Sequence, residues 1–137
     1  MNSYTIKELS NMFHVRASTL RYYEEIGLLT NVKRTEQNQR LYTEEHIARL
    51  NAVSCFKNTG LPISKMQDFF RYEAKLEENI DNIIELVTEQ EKNLKEHMKK
   101  MQEELAHIEH KVRYYNGIKK AIDTNEVWPC WEDFSQP

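Results

Sequence analysis

Ala17-Ser18-Thr19-Leu20-Arg21-Tyr22-Tyr23-Glu24-Glu25-Ile26-Gly27 is the stretch on which the fold of this chain turns. Leu20, Tyr23 and Ile26 recur every third residue and lay an apolar stripe along one side of a short helix. Arg21 and Tyr22 fall off that stripe and face outward. Gly27 ends the helix, because it enters the left-handed conformation after a C-terminus without a Cβ penalty. Tyr23 lies on the Leu20/Ile26 side, so core packing and surface contact compete for it.

Upstream, Thr5 followed by Glu8 reads as a capping box, with Tyr4 as its hydrophobic staple. Ile6, Leu9, Met12 and Phe13 supply the apolar side of this first helix, which breaks near His14-Val15. Two short helices joined by a tight turn form a helix-turn-helix, whose second helix ordinarily enters a DNA major groove. Downstream, Leu29–Lys33 and Gln39–Tyr42 read as short extended pieces around Thr35-Glu36-Gln37-Asn38. That is a hairpin wing, with Asn38 able to take a positive φ. A third helix starts at N-cap Thr43 with Glu44 and Glu45 in its first turn, and it breaks at Asn58-Thr59-Gly60. Leu61-Pro62-Ile63 is a turn, and Ser64 with Gln67 is expected to cap a fourth helix.

From Ile80 the periodicity changes. Ile80, Ile84, Val87, Glu91, Leu94, Met98, Met101, Leu105, Ile108, Val112 and Tyr115 alternate steps of four and three, and only Glu91 is polar. This is a heptad seam flanked by Glu and Lys. At ~1.5 Å per residue such a helix exceeds about 50 Å, so its narrow stripe calls for a second helix to cover it. It is read as a dimerisation helix in a homodimer, breaking at Asp123-Thr124-Asn125. A short tail carrying Trp128, Trp131 and Phe134 follows and is expected to pack on the body of a subunit. The expected organisation is a DNA-binding head over 1–72, a linker and long helix over 73–122, and a tail over 123–137.

The 137 residues carry a formal charge of −3, unevenly spread. Residues 1–72 hold ten Lys/Arg against seven Asp/Glu, while 73–137 hold nine against fifteen. The basic half suits nucleic acid; phosphate would repel the acidic half. Three glycines and three prolines leave little material for an all-β fold. No signal peptide and no apolar run long enough to span a membrane is visible, which points to the cytoplasm. There is no Gly-rich phosphate loop and no nucleophile–base spacing, so neither an enzyme nor a cofactor is expected. A coiled-coil scaffold without DNA binding is the alternative the long helix alone would support.

Tyr4-Thr5-Ile6-x-Glu8-Leu9, then Thr19 through Glu24 with Ile26-Gly27-Leu28-Leu29, then Arg34-Thr35-Glu36 and Arg40-Leu41-Tyr42, resemble in order and spacing the MerR family of bacterial regulators. The resemblance covers about residues 4–72 and implies a mainly α fold: a winged helix-turn-helix head with a small β-hairpin wing, then a long antiparallel coiled-coil helix. It implies a dimer on a pseudo-palindromic double-stranded promoter, which distorts an overlong spacer when an effector acts so that RNA polymerase engages both elements. By matching position, Arg21, Tyr22, Tyr23, Arg40 and Tyr42 would meet phosphates and base edges. Arg16, Ser18 and Thr19 stand at the start of the second helix, and Lys33, Arg34 and Asn38 in the wing. Two departures stand out: His14-Val15-Arg16 where the family often has Gly-Val-Ser, and Asn38-Gln39-Arg40 where it often has Gly-Tyr-Arg.

The chain has no segment for a C-terminal drug-binding domain, and it lacks the cysteine pairs of metal-responsive members. His107 and His110 are three residues apart, a weak metal signal, so no metal site is assigned and a metal-responsive regulator is kept as the alternative. Cys55, in Cys-x-x-Asn-Thr-Gly, resembles the single-cysteine branch that answers reactive aldehydes and thiol oxidants. Lys57 nearby favours the thiolate, whereas a helix C-terminus opposes it and lone cysteines are often buried hydrophobes. Cys130, between Pro129 and Trp131, reads as apolar filler.

Overall fold

The computed structural model describes residues 2–135. Seven elements precede a final 3₁₀ turn: α1 (Ile6–Phe13), α2 (Ala17–Glu25), β1 (Lys33–Arg34), β2 (Arg40–Leu41), α3 (Glu44–Asn58), α4 (Ile63–Ala74) and α5 (Leu76–Thr124). The 3₁₀ turn is Trp131–Phe134. This is a mainly α winged helix-turn-helix followed by one long helix. By contacts the chain divides after Gln90 into two compact units.

In the first unit Leu9, Leu20, Tyr23, Leu28, Leu29, Tyr42, Leu50, Val53, Met66 and Phe70 share one core. Each helix contributes the apolar side that its 3.6-residue period predicts. The capping box of α1 is in place: Glu8 N–H donates to Thr5 Oγ1, and Thr5 N–H to Glu8 Oε1, both at 3.1 Å. Gly27 (φ 83°) closes α2, and the N–H groups of Leu28 and Leu29 return to the Tyr23 carbonyl at 2.8 and 3.1 Å. That return turns Leu28 and Leu29 into the core. Asn31 then takes a left-handed φ of 59°. The first wing strand therefore starts only at Lys33, four residues later than the Leu29 start expected above. The hairpin pairs Lys33 with Leu41 and Arg34 with Arg40, and Asn38 (φ 65°) turns the chain. Tyr4, two residues before α1, also pairs with Tyr42 through antiparallel hydrogen bonds of 2.8 and 2.9 Å, an isolated bridge beside the wing.

Of the two caps expected downstream, one is as expected and one is not. Helix α3 starts after Thr43 as predicted, but its reciprocal partner is a ring: His46 Nδ1 accepts the Thr43 N–H at 2.9 Å. His46 Nε2 lies 2.7 Å from the Thr30 carbonyl, so the ring also ties the start of α3 to the loop after α2. The Ser64/Gln67 capping box is absent. Helix α4 starts two residues earlier, at Ile63 after N-cap Pro62, and Gln67 instead donates to the Ile26 carbonyl at 2.9 Å. A glutamine facing an unsatisfied helix-end carbonyl inside the head does more there than in a local cap. The first unit also takes in the start of α5, where Leu86 packs on the core and Gln90 donates to the Thr59 carbonyl at 2.8 Å.

In the second unit the tail folds against α5. Asn125 (φ 56°) ends the helix, Trp131 stacks on His110 at 3.7 Å between ring centroids, and Arg113 donates twice to the Phe134 carbonyl. Phe134 and Pro129 lie where Gly117 carries no Cβ; one there would come within 2.5 Å of Phe134. The heptad positions lie on a different side of α5. Ile80, Ile84, Val87, Met98, Met101, Leu105, Ile108, Val112 and Tyr115 are all exposed, from 38% to 63%. Leu94 is half-buried.

Replacing His46 with Leu removes the partner of the Thr43 N–H and of the Thr30 carbonyl, two part-buried groups at the edge of the core. It should lower unfolding free energy by about 1–3 kcal/mol, seen in urea titrations as a lower midpoint at unchanged slope.

Candidate nucleic-acid interface

The turn between α1 and α2 is built by His14, which takes the left-handed conformation (φ 54°) where glycine is the easier residue. The Ser10 hydroxyl donates to the Val15 carbonyl, and the Val15 N–H returns to the Ser10 carbonyl at 3.1 Å. Arg16 occupies the N-cap of α2 and provides no side-chain cap. The first amides of α2 are thus left without a side-chain acceptor, at the positive end of a helix and beside an exposed guanidinium. That combination suits a phosphate.

From this start α2 presents two sides. Arg16, Ser18, Arg21 and Tyr22 are exposed, and Thr19 is half-buried. Leu20 and Tyr23 are buried, at 0% and 6% exposure. The wing adds Lys33, Arg34 and Asn38, all exposed. Arg34 Nη1 donates to the Asn38 carbonyl at 3.1 Å, bracing the wing tip while its charge stays in solvent. Thr35 N–H donates to the Gln39 carbonyl at 2.8 Å, completing the turn.

Three residues expected at the surface sit differently. Tyr23 and Tyr42 belong to the core, so neither ring lies at the surface to touch a base or phosphate. Their positions on the apolar period of α2 and beside the Tyr4 bridge explain the burial. Arg40 is only partly exposed: its Nε lies 2.7 Å from Glu24 Oε2, the same oxygen that accepts the Tyr42 hydroxyl at 3.0 Å. Burial, reinforced by the neighbouring carboxylate, pushes the Tyr42 phenol well above its usual range, so it remains a proton donor. Glu24 carries this arrangement and did not stand out in the sequence, because its partners lie 16 and 18 residues away.

The geometry is that of a winged helix-turn-helix with one basic side. A profile of the MerR HTH family of regulatory proteins matches residues 4–73. The chain belongs to the MerR family. A relative from Haemophilus influenzae, an uncharacterised HTH-type transcriptional regulator, is 29% identical over 91% of this chain and 96% of its own length. The HTH-type transcriptional regulator YfmP of Bacillus subtilis is 33% identical over 76% of each chain. Among solved structures, HiNmlR, a MerR family regulator lacking the sensor domain and bound to promoter DNA, matches with a TM-score of 0.80 and 26% identity. That match covers 99% of this chain and 98% of HiNmlR. The MerR-family chain is thus a transcription regulator with a DNA-binding head, not an enzyme.

The sensing candidates belong to other elements than α2 and the wing. Cys55, on the last turns of α3, is exposed, as is Cys130, so neither is the buried filler that a lone cysteine often is. Lys57 is exposed two residues on. His110 is engaged by Trp131 through both its ring face and Nε2, and His107 pairs with Glu104 at 3.7 Å. Among the described residues no group of three or more His, Cys, Asp or Glu converges as a metal site. No helix there is long and apolar enough to cross a membrane.

Both cysteines should react with a thiol reagent such as dithionitrobenzoate in the native protein. The expected count is two equivalents per chain without denaturant, and a count of one would mark one thiol as covered in solution.

Proposed function

We propose that this chain binds a pseudo-palindromic promoter as a homodimer in the cytoplasm and distorts the spacer DNA in response to an effector, so that RNA polymerase can engage the promoter. One observation carries the dimer: a helix of 49 residues whose heptad positions are all apolar but one and almost all solvent-exposed in the single chain. Nine large apolar side chains in one stripe form a surface that a folded monomer does not leave uncovered. Glu91 supports an antiparallel pairing. In a parallel pair the two copies of Glu91 would meet in the same core layer with like charge, whereas an antiparallel pair sets each against an apolar residue. Antiparallel helices also carry the two heads to opposite ends, which suits two half-sites on one duplex.

In this reading Arg16, Ser18, Thr19, Arg21 and Tyr22 meet the major groove and its phosphates. Lys33 and Arg34 reach the flanking backbone from the wing, with Asn38 shaping its tip. Tyr23 and Tyr42 hold these groups from beneath. Base contacts and phosphate contacts divide the work of register and sequence, and bending of the spacer adds a deformation cost that effector binding offsets. The effector is proposed to be a reactive aldehyde or thiol oxidant acting at the exposed Cys55, with the exposed Lys57 two residues on.

Promoter binding should fall steeply with salt, in proportion to the phosphates neutralised. Arg21→Ala should weaken it at least tenfold with the protein still folded. Ile108→Glu, which sets a charge in the seam, should convert the dimer to monomer in analytical ultracentrifugation and abolish promoter binding. A dimer with salt-insensitive binding would favour a scaffold instead. In a promoter–reporter assay, Cys55→Ser should lose induction by aldehydes and diamide; retained induction, or induction by a metal alone, would overturn the thiol mechanism.

A further inference from the structure

We infer that Glu24 is a positioning residue for DNA binding, and that Arg40 is a strut neutralised by it rather than a phosphate contact. The inference deepens the promoter-binding reading and rests on it. In the hairpin Arg34 pairs directly with Arg40, so two guanidinium groups start from neighbouring positions on one side of the ladder. Such like-charged pairs oppose each other unless one is answered. Glu24, in the last turn of α2, answers Arg40: Nε and Oε2 are 2.7 Å apart, with the two side chains only 23% and 19% exposed. Arg34 remains exposed and turned to the Asn38 carbonyl.

Residues i and i+2 of a strand project to the same side, so Arg40 and Tyr42 approach one carboxylate together. The Tyr42 hydroxyl is the second donor to Glu24 Oε2. One carboxylate therefore joins the helix that enters the groove to the wing that grips the backbone, through two charge-assisted hydrogen bonds. No other side-chain hydrogen bond among the described residues joins α2 to the wing strands or to Tyr42, which follows them. The spacing between Arg21/Tyr22 and Lys33/Arg34, which must match groove to backbone, is held at this point.

The sign of one substitution separates this role from that of a bystander charge. An acidic side chain near DNA repels phosphate, so removing it should tighten binding if it does nothing else. A positioning carboxylate behaves oppositely. Affinity of the full-length protein for its promoter would be measured against salt for wild type, Glu24→Gln, Arg40→Gln, Tyr42→Phe, Lys33→Gln and Arg34→Gln, with circular dichroism as the folding control.

Glu24→Gln and Arg40→Gln should each weaken binding about tenfold with the log–log salt slope unchanged, and the double variant should be no weaker than either single one. Tyr42→Phe, altered at a buried ring that cannot touch DNA, should weaken binding a few-fold at unchanged slope. Lys33→Gln and Arg34→Gln should each reduce the slope by about 1.8, as the loss of one phosphate contact in each protomer of the dimer does. A slope reduced by the same amount in Arg40→Gln, or tighter binding by Glu24→Gln, overturns the inference. If Glu24→Gln fails to fold, the slopes of Arg40→Gln and Tyr42→Phe still decide. Wild type that binds no promoter overturns the functional reading itself, a result distinguishable because the inference concerns differences between variants that bind.

Discussion

Tyr42 is fully buried, and the head is organised around it. Its backbone pairs with Tyr4, its ring meets His46 edge-on at 5.5 Å, and its hydroxyl reaches Glu24. A phenol in a core must find a hydrogen-bond partner, since an unanswered hydroxyl there costs about 1–3 kcal/mol. That requirement draws a carboxylate to the inner edge of α2, and the carboxylate in turn draws in Arg40. The segment before α1, the end of α2, the wing and the start of α3 are thereby fixed to one another through a single residue, its backbone and side chain together. His46 adds a second tie, from the cap of α3 to the Thr30 carbonyl in the loop after α2.

With those ties inside, the outer side of α2 is free to carry unpaired donors. Arg16 at an N-cap with no side-chain cap, and Arg21 and Tyr22 in solvent, would be poor choices for a helix that served only stability. Local capping is weaker at the α1–α2 turn, where His14 takes a left-handed φ that glycine would adopt at less cost. The head is thus stabilised from within and leaves its basic residues at the surface, as a DNA-binding site requires.

The long helix meets different constraints along its length. Near its start Leu86 and Gln90 answer the head, and near its end Gly117 and Ala121 make room for the folded tail. Its heptad stripe answers neither. Of the helix's residues only Ala121 is fully buried, while its apolar seam, Leu94 apart, stays exposed.

Periodicity and caps made the helices, the stop at Gly27, the Asn38 turn and the heptad seam readable from the chain, because each depends on residues within a few positions of one another. The basic character of residues 16–40 and the family resemblance were legible for the same reason. Other features depended on contacts between distant segments. Only the tertiary structure decided that Tyr23 and Tyr42 are interior, that Arg40 faces Glu24, that Gln67 reaches Ile26 rather than capping its own helix, and that Cys55 and Cys130 are exposed. Spacing along a helix tells which side a residue occupies. What covers that side, or which carboxylate a given arginine meets, is set by packing across the core, and no local pattern encodes it.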